Sequence, residues 1–505
     1  MTLLRKWLIL AHRYLGIPLS LVFVVWFVSG IVMMYTGGMP ELTPQLRLNR
    51  LPALDISRIN LTPHDAAKHA KVWLPADSVS LFMVTDRPAY RLDTTTVFAD
   101  NGEVLGNIGA ATAHTVASQF TGHPAEQIQH VGTLQQPDQW TMTYDRVMPL
   151  HKFRVDDGLG TELYVSSSTA EVTVLTTQRS RALAWIGAIP HWFYFSALRL
   201  NQSLWSQVVI WTATAGCLLA VMGLLLGLTQ ARTPYTRWMR WHYLTGVVFG
   251  VFTLTWVFSG LLSMEPYAWT KARGLELPRD VLSGGPPDLN AFPEMDVKTW
   301  ERVTGGQAVA ELQLTRMQDE SYYVARLIPE HLEAAKSERL HQPYYITGRA
   351  EPNRLVIAAN TMTVKDDAFT VESVMDRLIA ATPGMPIVES VMLDEYDSYY
   401  YSRRGRIPLP VLRVKFADPS DTWVYVDPHM SRVVTSVHRS NRVERWLFNG
   451  LHSLDFGFLY TSRPLWDFIV ITLSVGGLAS SGIGFWVGLK RLRRPFLRRL
   501  SEGSR

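Results

Sequence analysis

The sequence predicts a membrane protein with four transmembrane α-helices, arranged as two repeats of helix, periplasmic α+β domain and helix. The first observation behind this is composition: of 505 residues, 47% are hydrophobic and only 18% are charged. That balance is more apolar than that of an ordinary soluble domain. The other two observations are four long uncharged segments and an internal repeat.

The four uncharged segments are each at least about 20 residues long, enough to cross a hydrocarbon core of about 30 Å as a helix. They are Gly16–Tyr35, Trp205–Leu228, Leu244–Met264 and Phe468–Leu489. The first lacks the A-x-A-like cleavage site of a signal peptide and is expected to be retained. An even number of spans places both termini on the same side of the membrane.

Basic residues predict the orientation. Residues 1–13, 229–243 and 490–505 together contain 13 lysines and arginines against one acid, Glu502, whereas the whole chain carries a net charge of only +5. Short basic segments remain in the cytoplasm. Both termini are therefore expected in the cytoplasm of a bacterial inner-membrane protein, with two larger, mildly acidic regions in the periplasm. The basic charge reflects topology, so no nucleic-acid partner is expected.

An internal repeat is visible in both pairs of spans. "HRYLGIPLSLVFVVWFVSG" from His12 matches "HYLTGVVFGVFTLTWVFSG" from His242, with Gly, Trp and Gly at four, fourteen and eighteen residues after each histidine. "WIGAIPHWFYFSALRLNQSLW" matches "WLFNGLHSLDFGFLYTSRPLW", and the register of 261 residues continues through Gly223 and Gly484. The chain is therefore expected to contain two copies of one unit.

The repeat gives the domain boundaries. We expect an N-terminal tail and first helix, a first periplasmic region, an interfacial elbow and second helix, a cytoplasmic loop and third helix, a second periplasmic region, an elbow and fourth helix, and a basic cytoplasmic tail. These are residues 1–36, 37–180, 181–228, 229–264, 265–441, 442–489 and 490–505.

Four histidines occupy repeat-equivalent positions at the ends of the spans. His12 and His242 are expected to face each other on the cytoplasmic side, and His191 and His452 on the outer side, in short elbows rich in aromatic residues. Two facing imidazoles suit a six-coordinate haem iron. The single cysteine, Cys217, excludes covalent C-x-x-C-H attachment, so the expected cofactors are two b-type haems. Zinc, copper or simple interfacial anchoring are the alternatives.

Glycines and arginines accompany these histidines. Residues i, i+4 and i+18 lie on nearly one face of a helix, so the glycines following each histidine are expected to make room for a porphyrin, or to let the helices pack closely. Arginines beside the histidines are expected to contact haem propionates or to hold the topology. The glycines are Gly16, Gly246, Gly30 and Gly260; the arginines are Arg13 and Arg240 at the inner pair and Arg199 at the outer pair.

The periplasmic regions are also repetitive. Residues 113–175 and 373–436 each begin with a helical stretch and continue as alternating strands. A similar stretch precedes each, so two α+β modules are expected in each region. The tyrosine-rich "DEYDSYYYSRRGR" at 394–406 is interpreted as a hairpin edge or as a docking surface for an aromatic or metal-chelate ligand. Other histidines, such as His64, His123, His331 and His429, lack metal-ligand spacing and are expected at the surface.

"HRYLG" at a helix start, "LH" before the last span and "VYVDPHMSRVV" at the end of a module resemble the PepSY-associated transmembrane proteins. This group includes the bacterial inner-membrane ferric-siderophore reductases, and the resemblance covers nearly the whole chain. It implies PepSY-like modules, haem ligation by His12, His242, His191 and His452, and reduction of a ferric siderophore or other ferric chelate in the periplasm. The identity of the chelate is not implied.

The expected activity is that of a haem-dependent oxidoreductase. Siderophores bind Fe(III) far more tightly than Fe(II), so one electron is enough to release iron for uptake. No dinucleotide or phosphate-binding glycine motif is present, and the cytoplasmic segments are too short for a flavin domain, so a quinol or a separate reductase is the expected electron donor. The alternative is a non-redox regulator that binds a periplasmic peptide or peptidase. A transporter would carry charges at mid-membrane, and these spans have none.

Overall fold

The computed structural model describes residues 3–266, 274–328, 354–401 and 407–502. His331 and residues 402–406 of the tyrosine-rich stretch lie outside these ranges. The chain forms two compact units. The helical unit comprises Met1–Met39, Ala182–Ala272 and Arg439–Arg505, and the sheet unit comprises Pro40–Arg181 and Arg273–His438.

Within the described residues, the helical unit contains four helices long and apolar enough to cross a membrane. They are α1 (Leu3–Thr36), α8 (Gln202–Thr229), α9 (Arg237–Leu262) and α15 (Arg463–Glu502). The four predicted spans lie within these helices, except for the last two residues of the third. Four membrane-spanning helices are thus confirmed as candidates by length and composition.

Close packing at glycines holds the four long helices together. Helix α1 packs against α8 and α15, and α9 packs against α8 and α15. A Cβ atom at Gly477 of α15 would overlap the ring of Phe27 of α1, and one at Gly216 of α8 would lie 2.9 Å from Val257 of α9. Gly216 and Gly477 are 261 residues apart, so the same close approach occurs in both halves of the chain.

Short helices precede α8 and α15. In the first half they are α5 (Gln178–Ile186), α6 (Ala188–Trp192) and α7 (Ser196–Arg199). In the second half they are α12 (Arg439–Arg445), a π-helix (Trp446–Gly450), α13 (Leu451–Ser453) and α14 (Gly457–Tyr460). These segments correspond to the two elbows predicted from the sequence.

The sheet unit contains three antiparallel sheets in its described part. The largest has the strand order β11-β10-β9-β8-β1-β2-β3. Its strands are β1 (Val79–Val84), β2 (Arg87–Leu92), β3 (Thr95–Phe98), β8 (Val309–Met317), β9 (Glu320–Leu327), β10 (Arg354–Ala358) and β11 (Thr363–Val364). Three short helices belong to the same part of the unit: α2 (Pro44–Leu48), α3 (Pro63–His69) and α10 (Val297–Thr304).

The two smaller sheets each follow one helix and have four strands in sequence order. The first follows α4 (Ala110–Thr121) and contains β4 (Ile128–Leu134), β5 (Leu150–Val155), β6 (Glu162–Ser166) and β7 (Val172–Thr176). The second follows α11 (Val371–Ala381) and contains β12 (Ile387–Leu393), β13 (Val411–Phe416), β14 (Trp423–Asp427) and β15 (Arg432–Val437). The helix-then-strands order expected for residues 113–175 and 373–436 is what the structure has.

The sequence suggested that the first modules of the two regions are separate, but in the structure they are joined. Strand β1 pairs antiparallel with β8, for example Val79 with Leu314, and so joins both modules in one seven-stranded sheet. Five of the six residues of β1 are buried. An edge strand buried in this way would leave its backbone groups without water or partners, and pairing with β8 satisfies them.

Of the described part of the tyrosine-rich stretch, Tyr400 belongs to the core of the second small sheet, whereas Asp394, Glu395, Tyr396 and Ser398 are exposed. Tyr400 is only 1% exposed and stacks on Tyr425 with a ring separation of 4.9 Å. The Tyr425 hydroxyl donates to Asp397 at 2.9 Å, and Asp397 also accepts from Arg413. These contacts favour the structural interpretation of residues 394–401.

A half-buried ion cluster also joins the two halves of the sheet unit. Arg47 of α2 donates to Glu171, in the turn between β6 and β7, and to Glu311 of β8, while Arg91 of β2 donates to Glu171. Burial alone would raise the pKa of Glu171, but Arg91 and Arg47 outweigh it and hold that pKa below its ordinary value. The cluster is therefore ionised at neutral pH.

Glu171→Gln should destabilise the strands around this cluster, because it leaves Arg47 and Arg91 without their shared counter-ion. Removing one partner of a buried pair costs about 3–5 kcal/mol. Hydrogen exchange of β1 and β2 amides in the full-length protein would measure this cost. Since the pKa of Glu171 is lowered, the wild type should keep its protection above the ordinary glutamate pKa of about 4.3 and lose it as the pH falls further.

The control for this prediction is Glu103→Gln. Glu103 pairs with Arg87 at the surface, where its side chain is 59% exposed, so exchange should barely change. Equal exchange in the Glu171→Gln variant and the wild type would show that the cluster does not stabilise the sheet.

Candidate functional site

The structure brings the four predicted histidines together in two pairs. In the first pair, His12 of α1 and His242 of α9 have ring centroids 6.4 Å apart and ring planes inclined by 31°. In the second pair, His191 of α6 and His452 of α13 have centroids 6.2 Å apart and planes inclined by 76°. Each pair takes one histidine from each half of the chain.

The first pair lines a cavity of about 300 Å³, at the lower end of the range for small-molecule pockets. All four long helices contribute to its wall. Seven glycines leave the space open: Gly16, Gly223, Gly227, Gly246, Gly250, Gly484 and Gly488. Polar groups also line it, namely Arg13, Gln230, Tyr235, Tyr243, Ser480 and Arg491.

Two of these glycines fix the positions of the first pair. A Cβ atom at Gly223 of α8 would lie 3.0 Å from Cε1 of His12, and one at Gly484 of α15 would lie 2.9 Å from Cε1 of His242. A Cβ atom at Gly484 would force the His242 ring to move, and one at Gly223 would crowd the His12 ring, so glycine at both positions lets the Cε1 edges of the imidazoles approach the neighbouring helices closely. The Nδ1 atom of His242 is also 3.1 Å from the carbonyl oxygen of Ser480.

The second pair is held by the ends of α1 and α9. His191 Nδ1 lies 3.0 Å from the hydroxyl of Ser29, and His452 Nδ1 lies 3.0 Å from the hydroxyl of Ser259. A Cβ atom at Gly30 would be 3.4 Å from His191 Cε1, and one at Gly260 would be 3.8 Å from His452 Cε1. Each ring therefore lies against a Ser-Gly step of a long helix.

The elbows present these two histidines by the same local device. The second residue after each histidine, Phe193 or Leu454, has a positive φ, 53° and 49°, which ends the short helix. A tryptophan of the following long helix then closes the turn. The Nε1 atom of Trp205 donates to the carbonyl of Trp192 at 2.8 Å, and the Nε1 atom of Trp466 donates to the carbonyl of Ser453 at 2.8 Å.

The predicted glycines lie where the sequence analysis expected them. Gly16 and Gly246 line the cavity of the first pair, and Gly30 and Gly260 contact the rings of the second pair. Their contribution to cofactor binding stays a prediction.

Only one of the two arginines predicted at the inner pair lies at its cavity. Arg13 lines the cavity of the first pair, but Arg240 is exposed and does not. Arg240 precedes His242 by two residues and so lies about 200° around the helix from it. Arg491 of α15 lines the cavity instead. Arg199 stacks on Trp205 at 4.6 Å, as an interfacial residue would.

Sequence reasoning missed several residues of the site. Gly223 and Gly484 were visible only as register marks of the repeat, and Ser29 and Ser259 only as part of "WFVSG" and "WVFSG". The signal that could have identified them is that small residues occur at equivalent positions in both halves of the chain.

The other histidines do not add to these sites. His151 is buried, and both of its nitrogens are used, by Thr133 and by the carbonyl of Ile108. His64, His123 and His429 are half-buried. Among the described residues, no group of three or more His, Cys, Asp or Glu side chains forms a metal-binding cluster.

The family model of the PepSY-associated TM region matches residues 9–310. This match covers more than half of the chain. The chain belongs to the PepSY-associated TM family. The matched residues include His12, His191 and His242, and with the four apolar helices they identify a multi-pass membrane protein. No curated protein matches the chain.

The geometry of both histidine pairs fits an iron porphyrin. Two metal–imidazole bonds of about 2.0–2.1 Å, with about 1.1 Å from each nitrogen to its ring centroid, place the centroids about 6.3 Å apart. The observed values are 6.4 and 6.2 Å. Each pair offers two imidazoles, whereas protein zinc sites usually take four ligands. A porphyrin supplies the other four nitrogens itself.

Buried polar atoms also fit a bound group. In the part of the chain that the structure describes, the indole Nε1 atoms of Trp26 and Trp256, 230 residues apart like His12 and His242, are buried without a hydrogen-bond partner. Unsatisfied buried donors are rare in native proteins and often mark an unseen partner. The residues present therefore fit a haem at each pair.

Gly484→Ala should selectively disturb the first pair. The new methyl group would lie 2.9 Å from Cε1 of His242, so the imidazole must shift. We expect the purified variant to lose about one of two haems per chain in a pyridine haemochrome assay. Gly482→Ala, on the same helix, meets no atom within 4 Å and should retain the wild-type haem content. Full occupancy in both variants would contradict the assigned role of Gly484.

Proposed function

We propose that the protein is a haem-containing oxidoreductase of the bacterial inner membrane. It reduces a ferric siderophore, or another ferric chelate, in the periplasm and releases Fe(II) for uptake. The observation that carries this proposal is the presence of two histidine pairs whose ring separations, 6.4 and 6.2 Å, suit one iron each. A bound haem supplies one-electron chemistry at each pair.

The chain is two repeats of helix, periplasmic domain and helix, with one histidine of each pair in each repeat. Equivalent contacts in the two halves support this arrangement, as with Ser29 and Ser259 or Gly223 and Gly484. His12 and His242 hold the inner haem, and His191 and His452 hold the outer haem. Both haems are b-type, since Cys217 is the single cysteine.

The basic segments set the orientation. With both termini in the cytoplasm, His12 and His242 lie near the cytoplasmic face. His191 and His452 then lie at the ends of α1 and α9 from which the chain enters the sheet unit. The two pairs are separated by about 17 residues of α1, or about 26 Å of helix at 1.5 Å per residue. At this spacing, one pair lies in each half of the membrane thickness.

The chain's own residues hold and insulate these sites. The four imidazoles would be the ligands, and the glycines at positions 223 and 484 let the first two approach the neighbouring helices closely. Arg13 and Arg491 line the inner cavity. An apolar cluster between the pairs excludes water; it contains Leu19, Phe23, Phe27, Ala213, Leu219 and Val257. Because this interior has a low dielectric constant, a charge is less stable there than at the two histidine pairs.

The substrate side of the reaction requires no acid, base or nucleophile. The net change is one electron added to the Fe(III) of the chelate, which gives Fe(II) and weakens its bonds to hard oxygen ligands. The electron donor is a quinol or a separate cytoplasmic reductase. PepSY-like modules of the sheet unit are the partners of the chelate on the periplasmic side.

Purified protein should contain two non-covalent haems per chain, with different low-spin EPR signals. Imidazole planes at 76° leave the iron d orbitals closer to degenerate than planes at 31°, so the second pair should give the more anisotropic signal. His242→Ala should remove the other signal and leave this one intact. A colourless protein would support the non-redox regulator instead.

Dithionite-reduced protein, freed of excess reductant, should be reoxidised by a ferric siderophore with a ferrous trap present. One Fe(II) should be trapped per haem reoxidised, because the reaction transfers single electrons. His191→Ala and His452→Ala should each slow reoxidation at least tenfold. Rapid oxidation by other acceptors but by no ferric chelate would retain electron transfer and exclude the proposed substrate.

A further inference from the structure

The second histidine pair has a hydrogen-bond arrangement that the first pair lacks. Each of its Nδ1 atoms lies 3.0 Å from a serine hydroxyl, Ser29 for His191 and Ser259 for His452. Both serines are buried, with 1% and 0% of their surface exposed. They occupy equivalent positions of the repeat, immediately before the glycines that contact the same rings.

The contacts at Nδ1 indicate which nitrogen of each ring carries the proton. At His452 they include the carbonyl oxygen of Trp256, 3.2 Å from Nδ1, beside the hydroxyl of Ser259. Ser29 donates its hydroxyl hydrogen to the carbonyl of Val25 at 2.6 Å, and Ser259 donates to the carbonyl of Trp256 at 2.9 Å. This back-bonding to the preceding turn is usual for serine in apolar helices. A hydroxyl has one hydrogen, so towards the imidazole each serine oxygen is an acceptor. The Nδ1 atom must therefore be the donor.

A neutral imidazole protonated at Nδ1 has its lone pair on Nε2. This is the tautomer that binds a metal through Nε2, and the acceptor at Nδ1–H both orients the ring and raises the basicity of the ligating nitrogen. A more basic ligand stabilises Fe(III) relative to Fe(II). The serine contacts thus act on the redox preference of whatever iron the pair holds.

We propose that Ser29 and Ser259 are positioning residues that fix the tautomer of His191 and His452 and lower the redox potential of the outer haem. This inference rests on the proposed function, because it requires a haem at the second pair. It goes beyond ligand assignment. Ser29 and Ser259 touch neither the haem iron nor the substrate, and yet they adjust the driving force for chelate reduction.

The first pair supplies an internal reference. His242 Nδ1 is bonded to the backbone carbonyl of Ser480, and the Nδ1 atom of His12 is buried without a hydrogen bond of ordinary geometry. No serine hydroxyl is bonded to either ring in the described structure. Removing Ser29 or Ser259 should therefore change one of the two potentials and leave the other in place.

The experiment is a spectroelectrochemical titration of the purified full-length protein. Its variants are Ser29→Ala, Ser259→Ala, Ser29→Thr and Ser259→Thr, and the outer wave is assigned as the one lost in His191→Ala. Ser29→Ala should favour the ferrous form of the outer haem by about tenfold, the lower end of the range by which loss of such a partner changes a metal site, or about 59 mV upwards for one electron. Ser259→Ala should give a smaller shift in the same direction, because the carbonyl of Trp256 still accepts from Nδ1 of His452. Threonine keeps the hydroxyl and should restore the wild-type potential.

The matched control is Ser474→Ala. Ser474 is a buried serine of the same helical unit, 6% exposed, and the equivalent residue of the first half is Ala213. Both waves should be unchanged in this variant. A shift as large as those of the Ser29 and Ser259 variants would show a general packing effect and overturn the proposal.

The remaining outcomes also decide the question. Two haems with unmoved waves in the alanine variants would overturn this inference and leave the proposed function intact. Loss of the outer haem in alanine variants but not in threonine variants supports positioning by the hydroxyl. Loss in both sets assigns the serines a packing role only. A wild-type protein without haem would overturn the proposed function itself.

Discussion

The close approach of helices at glycine positions is the constraint on which the candidate sites depend. At Gly223 and Gly484 the imidazoles of His12 and His242 fill the place of a side chain, while glycines nearby leave a cavity between the same helices. Elsewhere in the unit, Gly477 is covered by Phe27. Open space in an otherwise close-packed interior forfeits dispersion contacts. Such a space beside the first histidine pair is what a bound planar group would require.

Several contacts of the molecule occur once in each half of the chain, and others join the two halves. The short helices turn at Phe193 and again at Leu454, so both histidines of the second pair are presented in the same way. The sheet unit differs, because its halves merge through β1 and β8 and through the salt bridges of Arg47. In each unit, contacts between the two halves of the chain limit the movement of one half relative to the other. Under the proposed function, a pair of imidazoles that shares one iron would tolerate little such movement, since metal–nitrogen bonds are short.

The sequence was sufficient for the four helices and the histidine positions, because apolar runs and repeat offsets are properties of the chain itself. It was insufficient where a contact joins distant segments. Pairing of β1 with β8 produces no periodic pattern in the local sequence, and so two separate modules were expected. Gly223 packs on His12 of another helix, which no spacing within one span reveals. Arg491 was counted with a basic tail, although it lines the cavity that Arg240 was expected to reach.

Under the proposed function, two protein ligands on each iron have a consequence for specificity. If His191 and His452 both hold the outer haem, neither would be available to bind the iron of the chelate. Selection among chelates then depends on the difference in potential and on docking to the sheet unit, not on a shaped catalytic pocket. Residues that adjust the basicity of His191 and His452, such as Ser29 and Ser259, thereby become determinants of which ferric chelates can be reduced.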